Sequence, residues 1–200
     1  MVPARPDTVP KQDIILAGVG GQGILSIAFV IDSAALEDGL RLKQAEVHGM
    51  AQRGGAVTSH LRLSREPIWS DLVPQGKADL ILSVEPLEAL RYLDYLTPQG
   101  KVVTSSAPYK NIPDYPEVGS VLARLREFPS SVVIDSEKLA KEAGSSRAQN
   151  IVMLGAASPF LIVKEESLRK YVEVLFKVRG ETIVQTNLKA FELGRAAASS

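Results

Sequence analysis

The sequence predicts an α/β fold: a mainly parallel sheet flanked by helices, with a C-terminal helical layer. Three observations carry this. Ile14-Ile15-Leu16-Ala17 is a short apolar run ending in glycine, the pattern of a strand buried on both faces. A glycine turn follows, then Ile24, Ile27, Ala28, Ile31, Ala34 and Ala35 recur at helical spacing. Strand-like and helix-like segments alternate from there, which favours parallel pairing through crossover helices.

Residues 40–47 suit a second strand. Residues 56–63 suit a third, with Val57, Ser59, Leu61 and Leu63 alternating against Thr58, His60 and Arg62. That polar alternation predicts one half-wet face, as at a sheet edge or a subunit contact. Residues 78–84 read as another buried strand, and Glu85-Pro86 opens a helix, since proline early in a helix costs no hydrogen bond. Pro98-Gln99-Gly100 reads as a turn into the strand Lys101-Val102-Val103-Thr104. Residues 107–119 carry Pro108, Pro113 and Pro116 and read as irregular. Residues 121–128 look helical, 131–134 form a last strand, and Asp135 or Ser136 caps the next helix. From Arg147 onward the pattern is helical; Leu168, Val172, Leu175 and Phe176 share one face, and Gly194 reads as a helix stop. The expected organisation is a flexible arm over residues 1–12, one domain over 13–194 and a tail over 195–200.

Composition narrows the function. With 45% hydrophobic residues the 200-residue chain can bury a real core. Lys+Arg 23 balances Asp+Glu 23, so no net field favours nucleic acid or an anionic membrane. There are no cysteines, which excludes disulfides, thiolate zinc sites and cysteine-ligated iron–sulfur clusters on this chain. This fits a reducing cytoplasm, the expected location. Two histidines make a histidine-rich metal site a poor reading, and no metal site is expected. No apolar run approaches the ~20 residues that span a bilayer. The proline-bearing N-terminus lacks the apolar core of a signal peptide.

Two motifs carry chemistry. Gly18-Val19-Gly20-Gly21-Gln22-Gly23 has the letters and the strand-to-helix context of a dinucleotide fingerprint. The fingerprint also wants an acid some 20 residues on, at the end of the second strand. Glu37 and Asp38 come too early and Glu46 too late. Three readings stay open: a dinucleotide cradle, a tight packing turn, and a contact for an anionic group of a partner's cofactor or substrate. The second motif is Glu46-Val47-His48-Gly49-Met50-Ala51-Gln52-Arg53-Gly54-Gly55. Glu46 can orient His48, the imidazole titrates near neutrality, and Arg53 can grip a carboxylate or phosphate in a bidentate fork. Its glycines permit close backbone approach. The plainer alternative is a structural turn whose polar groups satisfy one another. Site candidates are therefore Gly18, Gly20, Gly21, Gln22, Gly23, Glu46, His48, Gln52 and Arg53. Glu85 joins them because it lies at the carboxyl end of a strand, where open α/β sheets bind ligands. Asp79 reads as a strand-start group and His60 as a packed or interface histidine. Arg147, Gln149 and Asn150 close a site or cap a helix, with Asn150 read as the cap. No catalytic residue is assigned.

These two motifs, with Ala78-Asp79-Leu80-Ile81, Glu85-Pro86, Asn150, Leu154-Gly155 and Asn187, Ala190, Phe191 and Gly194, resemble the gamma-type domain of 2-oxoacid:ferredoxin oxidoreductases, nearest to the indolepyruvate branch. The likeness runs from Asp13 to Gly194. It implies a Rossmann-like domain within a thiamine-diphosphate enzyme that decarboxylates an aryl 2-oxoacid, passes the acyl group to coenzyme A and reduces ferredoxin. Thiamine diphosphate and iron–sulfur clusters are then expected on a larger partner subunit. Ferredoxin is reached through that partner, and the isolated chain is expected to be inactive. Homodimerisation of the isolated chain stays open. Rival readings are a gamma subunit for 2-oxoglutarate, pyruvate or branched-chain oxoacids, a free-standing dinucleotide-binding protein, and a purely structural adaptor.

Overall fold

The structure is a computed structural model and describes residues 10–48, 54–110 and 112–199. Among these, six strands form one sheet in the order β2-β3-β1-β4-β5-β6. The strands are β1 (Lys11–Val19), β2 (Arg41–His48), β3 (Ala56–Ser64), β4 (Ala78–Ser83), β5 (Leu96–Ser105) and β6 (Ser131–Ile134). The helices are α1 (Ile24–Glu37), α2 (Pro86–Arg91), α3 (Val118–Arg126), α4 (Ser136–Ala143), α5 (Gln149–Ala157), α6 (Glu165–Phe176) and α7 (Glu181–Ala198). The sheet is largely parallel. β1, β4, β5 and β6 run in parallel, while β3 pairs antiparallel with both β1 and β2.

Alternation along the strands separates two cores. Ile14, Leu16, Leu61, Leu63, Leu80 and Leu82 point to the face covered by α1, α5 and α7. Ile15, Ile81 and Val102 point to the other, covered by α2 and α3. The C-terminal layer lies on the first face, and α5 is buried at every position from Asn150 to Ala157.

Several expectations are corrected. β3 is not a sheet edge: it lies between β2 and β1, and its polar side chains are covered. Arg62 grips Asp13 with Nε to Oδ1 at 2.8 Å and Nη2 to Oδ2 at 3.2 Å, and Nη1 donates to the carbonyls of Ser70 and Leu72. The 65–77 loop is thereby folded over that face. His60 is packed, its Nδ1 accepting from the Val73 amide at 3.1 Å and its ring edge-on to Tyr95; burial lowers its pKa. Pro98, Gln99 and Gly100 lie within β5, where a register shift opposite residues 78–80 accommodates them. β1 begins at Lys11, because Lys11 and Gln12 pair with Ser64 and Leu63. Gly194 does not stop a helix, and α7 carries residues 195–198 of the expected tail. Its lack of a side chain serves a helix contact instead. Asn150 is not a cap, since it lies inside α5 and reaches across to the glycine turn.

Candidate functional site

The site is built where β1 and β4 send their helices to opposite faces of the sheet. That divergence opens a crevice at the strands' carboxyl ends. The turn after β1 is shaped by Gly21 at φ 101° and Gly23 at φ 79°, a backbone region open to glycine. Gln22 folds back, its Oε1 accepting from the Val19 amide at 2.8 Å. At Gly18 an added Cβ would come within 2.7 Å of Ile24 Cδ1, and at Gly23 within 2.5 Å of Asn150 Nδ2. Asn150 Nδ2 also donates to the Gly23 carbonyl at 3.3 Å, which ties α5 to the turn. Close packing therefore explains Gly18 and Gly23, and the turn also borders open space.

The two sequence motifs meet here. The Gly20 amide donates to the Gly55 carbonyl at 2.8 Å, and the Gly54 amide donates to the Gly20 carbonyl at 3.3 Å. Glu46 sits on β2 opposite Ser59, and the His48 backbone ends β2 opposite Val57. The His48 side chain, and the whole of Gln52 and Arg53, lie outside the described residues. The strand after α1 is an edge strand, two places from β1. In a dinucleotide-binding half it would lie beside β1 and bring its ribose acid to the glycine turn. That geometry is not present.

Next to the turn is a cleft of about 430 Å³, lined among others by Gly21, Gln22, Tyr109, Arg147, Gln149 and Asn150. Its polar wall comes from the α5 end and the turn that precedes it. Arg147 and Gln149 both line this cleft. Its acid, Glu137, is engaged by Lys141.

Glu85 is 1% exposed and does not itself line the cleft; it acts on the wall through Tyr109. One carboxyl oxygen accepts from the Glu88 amide at 2.8 Å and caps α2. The other accepts from the Tyr109 amide and from the Tyr115 hydroxyl. Burial, and then Glu85 itself, push the Tyr115 pKa up. Glu85 thus anchors the irregular 107–116 loop, which brings Tyr109 to the cleft. The proline-rich spacing signalled a loop, but nothing in the sequence assigned Tyr109 or Tyr115 to Glu85. Deeper in, Ser105 Oγ and Ser136 Oγ lie 2.6 Å apart and Gln149 joins them at 3.3 Å, so β5, α4 and α5 are fixed to one another behind the cleft.

Among the described residues no group of histidine or acidic side chains could hold a metal ion. No helix there is long and apolar enough to cross a membrane.

A glycine-turn α/β domain with its crevice at the β1–β4 divergence, a second loop hydrogen-bonded to the turn, and a helical layer behind it defines the class: a Rossmann-like α/β domain. The chain belongs to the pyruvate ferredoxin/flavodoxin oxidoreductase family, which it matches over residues 13–197. It is 40% identical over 198 residues to indolepyruvate oxidoreductase subunit IorB of Thermococcus kodakarensis, covering 94% of this chain and 96% of that protein. The corresponding subunit of Pyrococcus horikoshii is 37% identical over the same shares. Among solved structures, 2-oxoglutarate:ferredoxin oxidoreductase from Magnetococcus marinus, with 2-oxoglutarate, coenzyme A and succinyl-CoA bound, superposes with a TM-score of 0.76 at 25% identity. That match covers 94% of this chain and 31% of the other, so this chain spans about a third of that protein. A keto/oxoacid ferredoxin oxidoreductase gamma subunit from Geobacter sulfurreducens matches with a TM-score of 0.70 at 26% identity, covering 95% and 97% of the two chains.

Proposed function

We propose that this chain is the cluster-free subunit of an indolepyruvate:ferredoxin oxidoreductase, and that its cleft forms part of the path for coenzyme A. The enzyme converts an aryl 2-oxoacid to its acyl-CoA and reduces ferredoxin. Thiamine diphosphate and iron–sulfur clusters belong to the larger partner subunit, and a chain with no cysteine has no thiolate to hold a cluster. The observation that carries the reading is the pair of hydrogen bonds joining Gly20 to Gly54 and Gly55. These bonds tie the described end of the second motif, Gly54 and Gly55, to the glycine turn beside the cleft, which supports a shared role for the two motifs.

The cleft suits an anionic nucleotide. Gly21 presents backbone without a side chain, Arg147 supplies a guanidinium, and Gln149 and Asn150 bring amide side chains at the start of α5. These residues would bind and orient the cosubstrate. The bond-making chemistry belongs to the thiamine cofactor on the partner.

The subunit role is also supported by α1. Its outward side carries exposed apolar side chains: Leu25 is 50%, Phe29 43% and Leu36 61% exposed. Large apolar side chains exposed together on one helix mark an interaction surface. In the Magnetococcus structure the equivalent domain is a third of a longer chain, so the occupant we assign to this face is the larger partner subunit.

The test is reconstitution with that partner. Arg53→Ala should leave the fold of the isolated chain nearly intact, as surface changes usually stay within about ±0.5 kcal/mol. In the complex it removes a charge-assisted contact worth about 1.5–3 kcal/mol. Activity or assembly should therefore fall roughly 10- to 150-fold. His48→Gln keeps hydrogen-bonding capacity without titrating near neutrality and should cost less. Full activity and assembly in Arg53→Ala would remove the segment from the site.

A further inference from the structure

The outward side of α1 carries one acid among its exposed apolar side chains. Leu25, Phe29, Asp32 and Leu36 follow one another at spacings of four, three and four residues, which sets them on one side of the helix. Asp32 is only partly covered, so an incoming group can reach it. Its Oδ1 is nevertheless buried and has no hydrogen-bond partner among the described residues.

The neighbouring acids of the helix end are compensated. Glu37 is held by Lys170, and Asp38 accepts from the Lys164 amide and the Ser167 hydroxyl. No such partner is offered to Asp32 by the elements packed on α1. The helix itself has no basic residue, and α5 has no charged one. β1 and β3 turn Ile14, Leu16, Leu61, Leu63 and Ser59 to this face of the sheet. β2 adds Leu42, Gln44 and Glu46, of which Glu46 alone carries charge, and that charge is negative. α6 brings Lys164 and Lys170, which pair with Asp38 and Glu37, and Tyr171, which bonds to Glu37. Burial raises the Asp32 pKa to about 7, with no neighbouring charge to offset it. A carboxyl group in that position costs stability in the chain alone, and the cost is relieved when a cation arrives with whatever covers it.

Charge also decides between occupants. In a two-fold contact of α1 on α1 of a second copy, carboxylate would face carboxylate with no cation on either helix. A surface that sets one basic side chain among apolar ones complements this face instead.

We propose that Asp32 pairs with a lysine or arginine of the larger subunit and sets the specificity of the contact, resting on the reading above that this subunit covers α1. Leu25, Phe29 and Leu36 supply the apolar area around the pair and keep water from it. The pair fixes the register of the two surfaces, because a shift by one helical turn would leave both charges buried and unpaired.

The labelled full chain is titrated into the larger subunit at about pH 7 as wild type, Asp32→Asn and Phe29→Ser, each first melted alone to check its fold. Asp32→Asn keeps the shape of the side chain and removes its charge. Affinity should fall roughly 30-fold or more in Asp32→Asn, the scale of truncating one member of a buried charge pair. Proton release supplies a second readout. In the free chain Asp32 is about half ionised near pH 7, and a cation drives it to the carboxylate. Wild type should therefore release about half a proton per complex more than Asp32→Asn, read by calorimetry in buffers of different ionisation enthalpy. Glu46, Lys164, Lys170 and Tyr171 are common to both chains and cancel in the difference. If Asp32→Asn binds as tightly as wild type or more tightly while Phe29→Ser binds weakly, the larger subunit covers α1 with an apolar surface and the ion pair is overturned. A weaker Asp32→Asn with no difference in proton release also overturns it, since the side chain then acts through its shape. If neither replacement changes affinity, the larger subunit lies elsewhere and the pair fails with that reading. Self-association of the isolated chain that Asp32→Asn strengthens and Phe29→Ser abolishes would give the face to a second copy and overturn the proposal.

Discussion

Gly155 and Gly194 hold α5 and α7 at backbone contact. A Cβ on Gly155 would sit 2.0 Å from the Phe191 carbonyl oxygen, and one on Gly194 would sit 1.9 Å from the Val152 carbonyl oxygen. Each glycine thus receives the backbone of the opposite helix. The contact holds α5 in place, and α5 carries Gln149 and Asn150 to the cleft.

Gly155→Ala should therefore destabilise the chain although alanine is the better helix former. The propensity gain is about 0.8–1.0 kcal/mol. Overpacking costs about 1–3 kcal/mol and more where backbone must move, as it must here. A net loss near 2 kcal/mol lowers Tm by roughly 4–8 °C in a chain of this size. A Gly155→Ala chain that melts with the wild type would show that the helices separate freely.

Glu85 should act as the anchor of the 107–116 loop. Tyr115→Phe removes one donor to a buried carboxyl, at a cost of about 1–3 kcal/mol. The loop should become the first site of proteolytic cleavage, while the melting transition stays cooperative. Since Glu85 and burial both raise the Tyr115 pKa, one of the five tyrosines should resist ionisation in an alkaline absorbance titration, and that one should vanish in Tyr115→Phe. Unchanged proteolysis together with an unchanged titration would contradict the anchor role.

The sheet and α1 were legible because buried strands leave apolar runs and a glycine turn marks the first crossover. The direction of β3 was not legible, since it is set by pairing to β1 and β2 rather than by its own residues. Its polar face was misread for a related reason. Thr58, His60 and Arg62 are satisfied by Tyr92, Val73 and Asp13, which are remote in sequence. Gly194 carries the same letter as a helix stop, and only the approach of Val152 distinguishes a contact glycine from a cap. At the site, the glycine turn and Glu85 were visible as positions, but not the bonds that use them.

Asp32 should give the isolated chain a pH-dependent stability. It lies in α1, burial pushes its pKa up to about 7, and its Oδ1 has no hydrogen-bond partner among the described residues. A carboxyl whose folded value lies above its unfolded value of 3.8 favours the fold most below about pH 4. That contribution is lost as pH rises through about 7. At about 1.4 kcal/mol per pH unit, the loss is on the order of 2–4 kcal/mol, with residual solvent access favouring the lower figure. Asp32→Asn should flatten the decline between about pH 4 and pH 7, measured by denaturant melts at each pH. Parallel profiles for the variant and the wild type would place the carboxyl in ordinary solvent. His60 acts in the opposite window: its lowered pKa contributes stability above the unfolded histidine value that is lost as pH falls. The difference between Asp32→Asn and wild type isolates Asp32.

The outward face of α1 should matter to assembly and little to folding. Phe29 is 43% exposed and Leu25 50% exposed in the chain alone, so replacing either with serine removes little burial from the isolated fold. The change in stability should stay within about ±0.5 kcal/mol. If the larger subunit covers this face, the same replacement forfeits much of the burial of a large apolar side chain, worth about 1.5–3 kcal/mol. Affinity for the partner should fall roughly 10- to 150-fold. The isolated Phe29→Ser chain should also be more soluble, because an exposed aromatic side chain has been removed. Titration of labelled chain into the partner, with Glu192→Gln on the exposed side of α7 as a control, reads the effect directly. Equal affinity for wild type and Phe29→Ser would remove α1 from the interface. A loss shared by the Glu192→Gln control would show that the measurement senses general perturbation. A loss confined to Phe29→Ser and Leu25→Ser would locate the partner over α1, on the same face of the sheet as the helical layer.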